Sequence, residues 1–180
     1  AGHHRDAQRG GGQATAVVCR RWRSVWGGSL DGGVLNTGGS YNPSTDAWIA
    51  TSTANSPTAR YAHTAVWTGS EMIIWGGTPD GIFGFDTGGR YNPATDGWTP
   101  TSTTNAPSDR AFHTAVWTGS EMLVWGGCEN TAGRNNHAND DRAAENNPAE
   151  PPAGRAHHAT WTGTELIVWA VGTLRIGGGA

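Results

Sequence analysis

The sequence predicts an all-β chain: a four-stranded antiparallel unit recurs about three times and a lone hairpin follows. Three observations carry this reading. The stretch His63-Thr-Ala-Val-Trp-Thr-Gly-Ser-Glu-Met-Ile-Ile-Trp-Gly-Gly77 returns fifty residues later as His113-Thr-Ala-Val-Trp-Thr-Gly-Ser-Glu-Met-Leu-Val-Trp-Gly-Gly127. A worn copy, His158-Ala-Thr-Trp-Thr-Gly-Thr-Glu-Leu-Ile-Val-Trp169, comes later. Tyr41-Asn-Pro-Ser-Thr-Asp-Ala-Trp48 likewise returns as Tyr91-Asn-Pro-Ala-Thr-Asp-Gly-Trp98. Finally, helix formers are scarce and no run has a 3.6-residue period, so a repeated β-unit is the consistent solution.

Taken in order, residues 1–12 show no pattern despite His3 and His4, and are expected to be a disordered end. Thr15-Ala-Val-Val18 and Val25-Trp-Gly-Gly28 match the hairpin at a spacing of 49. Between them the polar turn is replaced by Cys19-Arg-Arg-Trp-Arg-Ser24, either a solvated basic turn or a short out-of-frame segment. In the best copy, His113, Ala115 and Trp117 alternate with Thr114 and Val116, as in a strand. Thr118-Gly-Ser-Glu121 is a tight turn, and apolar Met122–Trp125 is a strand covered on both faces. A strand ending at Tyr, a Pro/Asp turn and a strand starting at Trp complete each unit. In the third copy Asn135, His137 and Arg142 replace the Tyr, Pro and Trp, so 129–152 is expected to be irregular. The fourth hairpin reads as one residue short between His158 and Trp161, and 171–180 as a flexible tail. The units therefore span 13–53, 61–103 and 111–145, with the hairpin at 155–170.

Composition narrows the function classes. Among 180 residues there are 28 Gly and 10 Trp, and all twelve basic residues are Arg. A net charge of −3 gives no reason to expect nucleic acid. No apolar run approaches the roughly 18–20 residues of a membrane span, and no signal-peptide pattern opens the chain. Cys19 and Cys128 occupy unmatched repeat positions, which argues against a disulfide framework.

An apolar run, a double glycine, a Tyr and then a Trp resemble the kelch motif, over most of residues 13–170. The resemblance implies a partial β-propeller: about three four-stranded antiparallel blades plus a terminal hairpin, of the class that includes the galactose oxidase central domain. It implies packing roles for Trp67, Trp75, Trp117, Trp125, Trp161, Trp169, Tyr41, Tyr91, Trp48 and Trp98. Those of the six hairpin tryptophans, with Ile74, Val116 and Val124, are expected to be buried between blades, and truncating Trp125 should cost about 3–5 kcal/mol. It also favours a secreted or cell-surface bacterial setting.

Enzyme chemistry finds little support. His63, His113 and His158 share one repeat position and are expected to be structural, although zinc or copper would accept imidazole. Galactose-oxidase-like enzymes add a Tyr cross-linked to Cys, and neither cysteine sits in such a setting. Sialidase-like use of Arg60, Arg110 and Arg155 lacks a general acid or nucleophile. No catalytic residue, metal or cofactor is therefore assigned.

A binding role has a topological basis. In a four-strand meander the loop before the first strand and the loop after the second share one face. That face should carry Arg60, Arg110 and Arg155 and the loops Ser29–Asn36, Thr78–Asp86 and Cys128–Asn130, including Asp80, Phe83 and Phe85. The expected partner is a protein or glycan, favoured if acidic because guanidinium pairs bidentately with carboxylate. A truncated or degenerate piece of a longer propeller is the alternative. Open blade ends then predict marginal stability or self-association.

Overall fold

The computed structural model describes residues 15–18, 23–127 and 157–170. The period-2 and apolar runs form strands throughout. The first unit contains Thr15–Val18 (β1), Arg23–Trp26 (β2), Ser29–Leu30 (β3), Gly33–Val34 (β4), Gly38–Asn42 (β5) and Ala47–Ala50 (β6). The second contains Thr64–Trp67 (β7), Met72–Trp75 (β8), Gly88–Asn92 (β9) and Gly97–Pro100 (β10). Then come Thr114–Trp117 (β11), Met122–Trp125 (β12), His157–Trp161 (β13) and Leu166–Ala170 (β14). Two four-stranded antiparallel sheets, β1-β2-β5-β6 and β7-β8-β9-β10, are followed by the hairpins β11-β12 and β13-β14. The first strands β1, β7, β11 and β13 lie side by side in succession, so they are the inner strands of an arc of blades.

The repeated turn residues fix the register of each sheet. Thr68 Oγ1 accepts from the amides of Ser70 and Glu71 and donates to Glu71 O, while Gly69 takes a φ of 108°. A glycine at the first central position of a two-residue hairpin loop is what that geometry demands. Thr118 and Gly119 repeat the arrangement. In the outer turn, Asn92 Oδ1 accepts from Ala94 N, and Tyr91 Oη donates to Asp96 Oδ1 at 2.7 Å. Asp96 has a φ of 48°, a left-handed conformation that Asp tolerates better than most side chains. Asn42, Tyr41 and Asp46 do the same one unit earlier.

Packing between blades explains the tryptophans. The core comprises Trp26 of the first blade with Met72, Ile74, Tyr91 and Trp98 of the second. The Trp98 ring lies 5.5 Å from that of Trp26, and its indole donates to Ser52 O at 2.9 Å. Asp96 Oδ1 meanwhile accepts from Ser52 N, so the outer turn of the second blade also grips the first. Large rings fill the wedge between splayed sheets, and here the Trp98 N–H also finds a carbonyl.

The double glycine is crowded from two sides, Gly76 by the next blade and Gly77 by the entry segment of its own. Gly76 and Gly77 have φ of 69° and 91°. A Cβ on Gly76 would lie 2.5 Å from His113 Cε1, and one on Gly77 would lie 2.7 Å from Tyr61 O. Only a residue without a side chain satisfies both constraints.

Four expectations need correction. Ser29–Asn36 is not a plain loop, because β3 and β4 pair across Asp31-Gly32, both at positive φ. The β13-β14 hairpin is not shortened: Trp161 pairs with Leu166 as Trp117 pairs with Met122. Counting back from Trp161 places His157, not His158, at the repeat position of His113. Trp169 is exposed, and Trp67, Trp117, Trp125, Trp161 and Val124 are only partly buried rather than enclosed between blades. The readings of 1–12, 129–152 and 171–180 fall outside the described residues, as do Cys19 and Cys128.

Candidate functional site

The backbone before each inner strand is bound to the loops that follow second strands, which puts both on one face. Gly28 N donates to Arg60 O and Arg60 N to Leu35 O. One repeat on, Gly77 N donates to Arg110 O and Arg110 N to Phe85 O. The two arginines are thus on the expected face by backbone but not by side chain.

Both guanidinium groups turn inward, with each residue only 1% exposed. Arg60 Nη1 donates to Gly76 O at 2.9 Å and Thr87 O at 2.7 Å, and Nε to Thr58 O. Its guanidinium carbon lies 4.2 Å from the centre of the Phe85 ring, a cation–π contact. Arg110 repeats the scheme, Nη1 donating to Gly126 O and Nε to Ser108 O. Each arginine is therefore a staple: its backbone is tied to one blade and its side chain to the next. Burial lowers the Arg60 pKa to about 10, partly offset by Asp86, so the group stays charged at neutral pH. The expectation that Arg60 and Arg110 offer guanidinium forks to a ligand is corrected on this ground. Arg155 lies outside the described residues, and it stands two residues before His157 rather than three.

His63 and His113 are interior wedges. The His63 ring meets Trp26 edge-on at 5.5 Å, and His113 meets Trp75 at 5.4 Å. His113 Nε2 is 2.7 Å from Thr64 Oγ1 of the preceding inner strand. Desolvation, reinforced by the neighbouring arginine, lowers their pKa values to about 4 and about 3. His158 instead is exposed and stacks on Trp169. Among the described residues no three His, Cys, Asp or Glu side chains converge as a metal site would require.

What remains on the loop face is the 78–86 loop. Asp80 organises it: Oδ1 accepts from the amides of Ile82 at 2.8 Å and Phe83 at 2.9 Å. Those amides, Phe83 first, hold its carboxylate below the usual range. Thr78 Oγ1 accepts from Gly81 N at 2.8 Å, and Phe85 N donates back to Gly77 O. A Cβ on Gly81 would lie 2.6 Å from Tyr61 Oη, so the tyrosine hydroxyl sits directly beneath the loop. Tyr61 meets Phe112 edge-on at 6.3 Å. The loop is thus held at four points, yet Ile82 is 68% and Phe83 54% exposed at its tip.

Of the sequence-predicted site residues, then, Phe83 is displayed, Phe85 is tucked under Arg60 and Asp80 serves the loop's own backbone. Ile82, Tyr61 and Phe112 were missed by sequence reasoning. The glycines flanking Ile82 and Phe83 were the available signal, since an apolar pair between glycines has no strand to belong to.

Four-stranded meanders stacked through tryptophans, with a double glycine closing each second strand, define a partial β-propeller of kelch type. In keeping with that, the model of the KLHDC2/KLHL20/DRC7 Kelch-repeats domain matches residues 13–175, and the chain belongs to this family. No curated protein matches the chain significantly. Kelch-repeat domains serve in general as protein-interaction scaffolds rather than catalysts.

Proposed function

We propose that this chain is a non-catalytic binding scaffold that docks a protein segment against the tip of the 78–86 loop. The observation that carries the reading is the exposure of Ile82 and Phe83 on a loop whose backbone is already fixed by Asp80, Thr78 and Tyr61. Apolar side chains held in place before binding lose little further freedom on contact, and aromatic anchors supply much of the energy of an interface. The carboxylate preference expected from exposed arginines has no support in Arg60 or Arg110, so the proposed partner surface is apolar rather than acidic. A glycan ligand would call for polar groups aimed outward from this tip, whereas Asp80 Oδ1 is engaged by the loop itself.

Selection from a displayed random-peptide library, run beside a glycan array, tests this. Peptides with apolar anchors are expected, and Ile82→Ser with Phe83→Ser should weaken them by roughly 30-fold or more. Array binding without peptide enrichment, or peptides indifferent to both substitutions, would contradict the proposal.

A further inference from the structure

The loop face is segregated by charge. Asp31 stands at the tip of the β3-β4 ribbon, Asp80 and Asp86 lie in the 78–86 loop, and Asp109 precedes the third blade's inner strand. Strand direction gathers them, since β2 and β8 run toward this face while β9 and β11 run away from it. Asp31, Asp80 and Asp86 are exposed and Asp109 is half-buried. The arginines of the same face are turned inward instead. Arg60 Nη1 is spent on Gly76 O and Thr87 O, and Arg110 Nη1 on Gly126 O. The exposed Arg23 and Arg90 belong elsewhere: Arg23 begins β2 at its far end, and Arg90, midway along β9, reaches Glu71 beside the opposite turn. Among the described residues, then, this face carries carboxylates and no exposed arginine.

Three of these carboxylates border the apolar tip. Asp80 stands two residues before Ile82, fixed by the Ile82 and Phe83 amides. On the other side of the tip, Gly84 lies against the next blade's entry segment. A Cβ on Gly84 would be 2.9 Å from the Asp109 carbonyl carbon and 2.7 Å from Arg110 N. Asp109 therefore joins the loop although it comes from another blade. Asp86 follows Phe85, and its charge opposes the desolvation of Arg60. Arg60 offsets part of that charge from beneath, with its guanidinium under the Phe85 ring. A partner approaching from solvent still meets the exposed carboxylate first.

We infer that the protein segment docking on Ile82 and Phe83 is cationic: an apolar anchor flanked by lysine or arginine side chains that reach Asp86 and Asp109. This rests on the docking role proposed above and adds the partner's charge to it. The sign is the reverse of the one expected when topology alone put guanidinium groups on this face. With Arg60 and Arg110 committed to internal carbonyls, the same face attracts the opposite charge. Long basic side chains suit the arrangement, because their methylene stems cover apolar surface while the charged head stays in water. One such residue can lie along Phe83 and meet a carboxylate at once. Charges at the rim of an interface act mainly on partner choice and on the rate of encounter.

Synthetic peptides sharing one apolar anchor from the library selection, flanked by lysine, serine or glutamate, test this by fluorescence anisotropy against the full chain. The lysine peptide should bind roughly tenfold tighter than the glutamate peptide at about 0.1 M salt, where charges act over about 10 Å. The gap should shrink severalfold at about 1 M salt. Asp86→Asn with Asp109→Asn keeps the side-chain shapes and leaves Ile82, Phe83 and the Asp80 bonds in place. It should remove most of the preference while the serine peptide keeps its affinity. Equal binding of the three peptides, tighter binding of the glutamate peptide, or a lysine preference that survives both substitutions would each overturn the inference and leave the docking role standing. If selection yields no apolar anchor, the docking role fails first and this inference with it.

Discussion

Replacing Arg60 with methionine should destabilise the fold by about 3–5 kcal/mol, the scale for removing one partner from a buried charged network. Methionine fills much of the volume, so the loss isolates the donors rather than the packing. Gly76 O and Thr87 O lose their guanidinium donors together, and the Phe85 ring loses the cation above it. Arg60→Lys should recover less than half of the loss, because one ammonium cannot reproduce a planar fork that reaches Thr58, Gly76 and Thr87 at once. Urea unfolding reads this directly. A lower midpoint at unchanged m is expected, since the defect lies in the native state.

Acid should unfold the protein in a window set by two histidines. His63 and His113 titrate at about 4 and about 3 when folded, against about 6.5 in an unfolded chain. Between those values the unfolded state binds more protons, so stability rises with pH. The contribution is fully present above pH ~6.5 and is lost as pH falls toward the folded values, at about 1.4 kcal/mol per pH unit for each histidine. At pH 4.5 the two together should cost on the order of 5 kcal/mol. The window lies mostly above the range where ordinary carboxylates protonate, so the slope is assignable. His113→Gln should be less stable at neutral pH and show about half the slope between pH 6.5 and 4.5, measured as urea midpoints.

The sheets were legible because the same local signal appears several times. A period-2 run, a Thr-Gly-Ser-Glu turn and an apolar run locate β7 and β8 without any knowledge of what packs on them. The staples were not legible, because a topological argument places a backbone and not a side chain. Arg60 and Arg110 do emerge on the predicted face, yet each turns back to a carbonyl sixteen residues on, at Gly76 and Gly126. That recurrent spacing to the double glycine was visible as a pattern, but its meaning depends on how the next blade approaches. In the last hairpin the doubled His157-His158 offered two alignments, and only the pairing of Trp161 with Leu166 selects one. The β3-β4 ribbon was signalled by Asp31-Gly32, a tight-turn dipeptide, but strands of two residues carry no periodicity. Ile82 became a candidate only when the loop around it was seen to be fixed.

The central claim is that the repeated arginines hold the blades together and do not meet ligand. Phenylglyoxal labelling of the native protein at neutral pH, followed by peptide mass mapping, tests it most directly. Arg23 and Arg90, both exposed, should be modified, while Arg60 and Arg110 should be protected until the protein is unfolded in urea. Modification of Arg60 and Arg110 in the native state at the rate of Arg23 would contradict the account.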